Sequence, residues 1–509
     1  MSFAIDNRKI AKNTIALYVR LAFTMVIGFV TTRVTLQQLG VDDFGLNNLV
    51  GSIVSLFSFL NGSMGTAVQR YYCIEIGKGN ESQLKRVFAV GLYLHIWVAV
   101  ITVVLAELFA IFFLNKMNIP EDRQFAAQVV FQISIISLGL NVVNVPYAAL
   151  LRAREMFDKI AIVEIVQAVL RLCILFLLVV IDFDKLIVLS LLGLFVTFYY
   201  LGANYRLARS FEEAHSSPIK DNDLIKEMFS FISLLLLTVL TQLAKTQSII
   251  MFVNLFFGLA INAAYAVTVQ VSNMVNNFAM SFKQSMIPQM MAACGAGDYE
   301  AMHKIINTGT KITFLLLMMI SVPIMFESDF LLKVWLGTPP EHSAQLVMLV
   351  LIYINISSFT YFHYQGVHAT GNIKSQQIWM SALYVLNIVL IYVVFRFGAG
   401  FDAALYVNMI ISLMQCIINL IFAKKCFKYD IFGFCKLILV PCVIVALFVI
   451  CGNVLLVRNI NPSWIRVVIG GIATEISIVV LGYFLILDFV EKRKVCELVR
   501  KCYTGKLQF

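Results

Sequence analysis

Four cations interrupt runs of residues that are otherwise apolar enough to lie in a bilayer: Arg20, Arg33, Arg171 and Lys245. A charged side chain at mid-bilayer costs about 2.5 to 3.5 kcal/mol on insertion scales, so such groups face water, a counter-charge or a ligand rather than lipid. Arg offers a planar fork of donors and Lys a compact point charge, two ways of holding a phosphate or carboxylate. Lys245 stands near the middle of its run between Gln242 and Gln247. Snorkelling to an interface is a poor account of that position, and a cavity role is expected. Arg20 and Arg33 share the first run but lie about 220° apart around a helix, so they need not share a face, and Arg33 is close enough to the helix end to snorkel. Arg171 follows Glu164 two turns later on the same face, which predicts an ion pair within or between helices. Glu107 and Glu475 are the remaining buried carboxylate candidates, open either as proton or cation sites or as protonated or paired acids.

Polar side chains accompany these charges. Asn48, Ser52, Ser55, Gly62 and Thr66 fall on one face of an apolar segment, and in a later one Gln270, Asn273 and Gln284 stand where Ser52, Ser55 and Thr66 do. Such stripes can glue transmembrane helices together, but recurrence in register favours a shared cavity lining. The two stretches, Gly40 to Val87 and Gly258 to Ile305, follow one plan at an offset of 218 positions: an opening Gly, the polar stripe, and a closing turn with Gly77 and Gly79 or Gly295 and Gly297. A second correspondence sets Ser137, Asn141 and Asn144 against Tyr353, Ser357 and Thr360. The glycine pairs are turns rather than phosphate cradles. Nucleotide-binding, zinc and nucleophile motifs are all missing, and His363 with His368 is too loose a pair for a metal, so neither cofactor nor metal is expected.

These residues need helices to position them. With 60% hydrophobic and 13% charged residues over 509 positions the chain lies outside the soluble range, and its apolar runs suit helices of about 20 residues rather than barrel strands. We expect an all-α membrane protein of about fourteen transmembrane helices, in two six-helix lobes related by a pseudo-twofold repeat, plus two C-terminal helices. The expected boundaries are 1–205 for the first lobe, 206–227 for a linker, 228–422 for the second lobe, 423–487 for the last two helices and 488–509 for a basic tail. With the N-terminus inside, twenty-eight of the 39 Lys and Arg residues fall on the cytoplasmic side and seven on the other. That bias predicts a multi-pass protein with both termini cytoplasmic, and it explains the net charge of +10 without nucleic acid.

The N-terminal Asn7-Arg8-Lys9-Ile10-Ala11-Lys12-Asn13-Thr14 and the later Leu39-Gly40-Val41-Asp42-Asp43-Phe44-Gly45-Leu46 resemble the polysaccharide transport proteins. These are Wzx-like flippases of the multidrug/oligosaccharidyl-lipid/polysaccharide exporter superfamily, and the likeness spans nearly the whole chain. The resemblance implies a bacterial inner-membrane transporter, not an enzyme, that turns undecaprenyl-pyrophosphate-linked oligosaccharide from the inner to the outer leaflet by alternating access. It would work among membrane lipids, with H+ or Na+ and other polysaccharide-assembly membrane proteins as further partners. On that reading Arg20, Arg33 and Lys245 bind pyrophosphate, and Ser52, Ser55, Gln270, Asn273 and Asn277 contact the saccharide or line its path. The alternatives are a peptidoglycan-precursor flippase or a cation-coupled drug exporter. The drug exporter is usually marked by a buried carboxylate where this chain has cations. A polysaccharide polymerase or ligase would need a long outer loop, and the longest here, around Glu327 to His342, has about sixteen residues.

Overall fold

The computed structural model describes residues 5–113, 120–179, 181, 183–488 and 492; the side chains at 29, 32, 33, 36, 41, 42, 48, 49, 52–60, 109–113 and 457–459 lie outside that description. Nearly all of the expected basic tail lies outside it as well. Among the described residues the chain is helical with no strands. The helices are α1 (Asn7–Lys78), α2 (Glu81–Phe113), α3 (Gln124–Ala153), α4 (Phe157–Leu177), α5 (Lys185–Ala208), α6 (Asn222–Gly295) and α7 (Tyr299–Leu336), then α8 (Ser343–Ser358), α9 (Tyr361–Thr370), α10 (Lys374–Arg396), α11 (Ala403–Phe427), α12 (Ile431–Phe434), α13 (Val440–Asn459) and α14 (Trp464–Leu481).

Twelve stretches among the described residues are long and apolar enough to cross a membrane. The 74-residue α6 counts once among them, yet Gly258 at φ 79°, ψ −171° breaks it in two, and Gly40 at φ 77°, ψ 178° breaks α1 in the same way. The two breaks bring the helical passes to the expected fourteen. Both glycines occupy a region of backbone space essentially closed to residues with a Cβ. The closing turns repeat too, since Gly79 (φ 69°) caps α1 in the left-handed conformation and Gly297 (φ 74°) follows α6. The offset of 218 read from the sequence therefore marks equivalent backbone breaks, which supports duplication.

Two compact units result. Unit 1 comprises Phe3–Val239 and Met291–Asp298. Its core joins Tyr72, Phe88, Phe131, Val142 and Leu150, all fully buried, and a chain of aromatic contacts runs from Tyr72 through Phe88 and Tyr147 to Tyr205, the last two contacts edge-on. Arg123 ties the segment after the Gly40 break to the start of α5 by pairing with Asp43 and, at 2.7 Å, with Asp184, which also N-caps α5. At the end of the unit that carries the N-terminus, Lys12 meets Asp158 at 3.0 Å, and Arg154 meets Glu213 at 2.7 Å. The segment read as an inter-lobe linker is strapped here: Glu212 accepts from Lys85 and Asp221 from Arg86.

The last turn of α6, Met291–Gly295, belongs to unit 1 because it crosses the last turns of α1 at backbone contact. A Cβ on Gly77 would lie 2.0 Å from the Ala292 carbonyl oxygen, and one on Gly295 would lie 2.3 Å from that of Ile74. Positions 74 and 292, like 77 and 295, are partners under the 218 offset, so the two contacts are reciprocal in the repeat numbering. Glycine is required on both sides.

Unit 2 comprises Leu240–Met290 and Tyr299–Phe509. Leu317, Leu351, Ile354, Ile391, Leu405 and Ile411 fill its core. Amide pairs lace it together, Asn387 with Asn408 at 2.9 Å and Gln376 with Asn419 at 2.7 Å, as expected where helices meet without water. Arg466 at the start of α14 pairs with Glu327 of α7 at 2.8 Å, both nearly sealed from solvent. A π turn, Cys435–Leu439, carries α12 into α13. The outer face of α14, with Ile465, Val468, Ile472, Ile476 and Val479 exposed, suits contact with lipid tails.

Candidate functional site

In unit 2, Lys245 leaves α6 and points into the bundle. Its ammonium lies 5.4 Å from the ring centre of Tyr353 on α8 and 5.9 Å from that of Tyr384 on α10, and the residue is 8% exposed. Among the described residues it makes no ion pair. A cation between desolvated aromatic faces gains about 2 kcal/mol from a ring quadrupole, which offsets much of the cost of placing it in the membrane without neutralising it. The polar residues Gln242 and Gln247 flank it on exposed positions. Beyond the Gly258 break, Gln270, Asn273 and Asn277 are all exposed at successive turns and present one amide-rich face at the surface of unit 2.

A second cation of unit 2 escaped sequence reading. Lys283, 7% exposed, has its ammonium 4.6 Å from the centre of the Tyr361 ring, with no carboxylate beside it among the described residues. In the sequence it stands at the end of an apolar run, where snorkelling is the ordinary reading. The signal that could have found it is its repetition of the Lys245 arrangement, a lysine on α6 paired with a tyrosine from a later helix.

In unit 1, Arg20 donates to Glu164 at 2.7 Å, and the Tyr200 hydroxyl reaches the other oxygen of that carboxylate at 3.5 Å. Glu164 is therefore taken by α1 rather than by Arg171, contrary to the pairing expected from their two-turn spacing. Side chains on a helix lean toward its N-terminus, so Arg20 on a neighbouring helix reaches Glu164 more directly than Arg171, about 10.5 Å further along the same axis. The side chains of Arg33, Ser52 and Ser55 lie outside the described residues. Glu107 accepts from Gln132 at 3.0 Å, whereas Glu475 is exposed among the apolar residues of α14. No group of His, Cys, Asp and Glu able to hold a metal occurs among the described residues. A cavity of about 560 Å³ around Asp329, Glu341 and His342 holds none of the intramembrane cations.

Residues 17–177 match the MatE family. No curated protein matches the sequence. Among solved structures, an outward-facing multidrug resistance MATE family transporter of the MOP superfamily superposes with a TM-score of 0.71 at 11% identity, covering 82% of this chain and 95% of that one. The fold is that of the MATE transporters. A MOP superfamily transporter from Pyrococcus furiosus whose binding pocket has reverse polarity gives 0.69 at 12% identity, over 82% of this chain and 95% of that one. The MATE transporter ClbM in complex with Rb+ gives 0.67 at 11% identity, over 83% and 95%.

Proposed function

We infer that the chain is a multi-pass export transporter that works by alternating access and carries an amphiphile with an anionic group. The MATE fold and the match over α1 to α4 support a cation-coupled exporter of small amphiphiles ahead of a lipid flippase, with H+ or Na+ as the coupling ion; the MATE transporter ClbM has been solved in complex with Rb+. The observation that bears on cargo charge is Lys245: an ammonium buried on two tyrosine faces, with no carboxylate partner among the described residues, is a site short of one negative charge. Reconstitution into proteoliposomes with an imposed Na+ or H+ gradient tests this reading. Gradient-driven accumulation of carboxyfluorescein over ethidium supports it, and preference for ethidium overturns it.

A second reading is favoured by the exposed amides of Gln270, Asn273 and Asn277, which suit hydroxyl-rich cargo. On this reading Arg20, Arg33 and Lys245 serve the pyrophosphate, and Ser52, Ser55, Gln270, Asn273 and Asn277 the saccharide, of an undecaprenyl-linked oligosaccharide crossing a bacterial inner membrane. Both termini are then cytoplasmic, other polysaccharide-assembly membrane proteins stand beside it, and Glu107 and Glu475 are the carboxylates open to ion coupling. Dithionite protection of a fluorescent prenyl-pyrophosphate disaccharide in the same proteoliposomes discriminates it: protein-dependent flipping favours the flippase, and no flipping removes it.

A further inference from the structure

Unit 1 contains a cavity of about 320 Å³ between α1, α4 and α5, whose polar lining is Thr24, Thr31, Glu164, Gln167, Arg171 and Tyr200. Its charges do not balance. Glu164 is already satisfied by Arg20 at 2.7 Å, and Thr24 gives its hydroxyl to the backbone carbonyl of Arg20. Arg171 has no carboxylate partner among the described residues, and the Thr31 hydroxyl is buried without a protein partner. Arg171 is exposed and lines this cavity together with Gln167 and Glu164, which precede it by one and two turns of the same helix. The free groups are thus a guanidinium, a carboxamide and a hydroxyl, a donor-rich set around a space of ligand size.

We propose that this cavity is a binding site for the phosphate or pyrophosphate group of a membrane amphiphile, with Arg171 as its anchor and Gln167 and Thr31 as further donors. The guanidinium fork matches two oxygens of such a group, and an anion there neutralises Arg171, since Arg20 and Glu164 already balance each other. The site lies within unit 1 and goes beyond the role given to Lys245 in unit 2; it stands or falls on binding, independently of whether cargo is transported. The source of the phosphate is either a bilayer phospholipid or a prenyl pyrophosphate, and the experiment separates the two.

Purified full-length protein in neutral detergent is titrated by native mass spectrometry with geranylgeranyl pyrophosphate, with uncharged geranylgeraniol and with phosphatidylglycerol. The expected result is binding of a phosphate-bearing probe that weakens about tenfold or more in Arg171→Gln, as loss of one charge-assisted bond requires, and recovers in part in Arg171→Lys, with geranylgeraniol unaffected. Dependence on Arg171 for the pyrophosphate alone identifies a prenyl carrier, and dependence for phosphatidylglycerol alone identifies a structural lipid; both uphold the site. Equal affinity of wild type and Arg171→Gln for both phosphate probes overturns it. Arg171→Lys, which keeps the charge, separates a loss of binding from a loss of folding.

Discussion

The crossing of α1 and α6 at Gly77 and Gly295 makes a sharp prediction. Replacing Gly77 by Ala puts a Cβ 2.0 Å from the Ala292 carbonyl oxygen, and replacing Gly295 puts one 2.3 Å from that of Ile74; ordinary contact begins near 3.4 Å. The obstacle in each case is backbone, not the end of a flexible side chain, so the two helices must part by about 1.4 Å at the first site, and overpacking of this kind costs roughly 1 to 3 kcal/mol. Thermal unfolding of the purified chain followed by tryptophan fluorescence should show each single substitution lowering the midpoint by several degrees. Gly202→Ala, in a helix with nothing within 4 Å of the added methyl, should not lower it. The double substitution should cost less than the two singles together, because one separation accommodates both methyls. Wild-type melting of Gly77→Ala, or strict additivity of the pair, would refute the reciprocal crossing.

Two further perturbations follow from the ion pairs. Glu327→Ala leaves Arg466 charged and buried, and should destabilise unit 2 by about 3 kcal/mol or more, whereas Glu327→Gln keeps an acceptor at 2.8 Å and should cost less; thermal melting of both variants checks the order. The strap after α5 should loosen in acid. Hydrogen bonds from the Leu224 amide and Arg86 hold the Asp221 carboxyl below its ordinary range, and Lys85 does the same for Glu212. A carboxyl depressed on folding contributes fully above its unfolded value, near about 4, and loses that contribution as pH falls through the folded one. Hydrogen exchange across residues 212–221, corrected for intrinsic rates, should therefore be slow at neutral pH and accelerate below about pH 4; protection that is indifferent to pH contradicts the assignment.

Much of this architecture is legible in the residue order. Long apolar runs fix the helices because only helices and closed barrels satisfy the backbone in a membrane and runs of this length and pattern do not suit barrel strands, and glycines at a common offset mark the breaks because other residues resist those dihedrals. Lys245 is identifiable as buried because its distance from either end of the run rules out snorkelling. Partner choice is a different matter. Glu164 and Arg171 look paired on a helical wheel, but a third residue on another helix takes the carboxylate, and only the packing of α1 against α4 reveals it. Lys283 was hidden for the same reason, since its tyrosine lies about eighty residues away in sequence. The reciprocal contact at Gly77 and Gly295 needs two chain segments to meet, although the repeat named both glycines in advance.

The central claim, an anionic cargo recognised at Lys245, is tested most directly by charge reversal at that position. Initial uptake rates of carboxyfluorescein into proteoliposomes should fall at least about tenfold in Lys245→Met, and further in Lys245→Glu, the loss of a buried charge-assisted contact to cargo being worth at least one such factor. Arg20 and the tyrosines remain in place in both variants, and melting temperatures report whether the bundle still folds. Unchanged carboxyfluorescein uptake by folded Lys245→Glu would contradict the account.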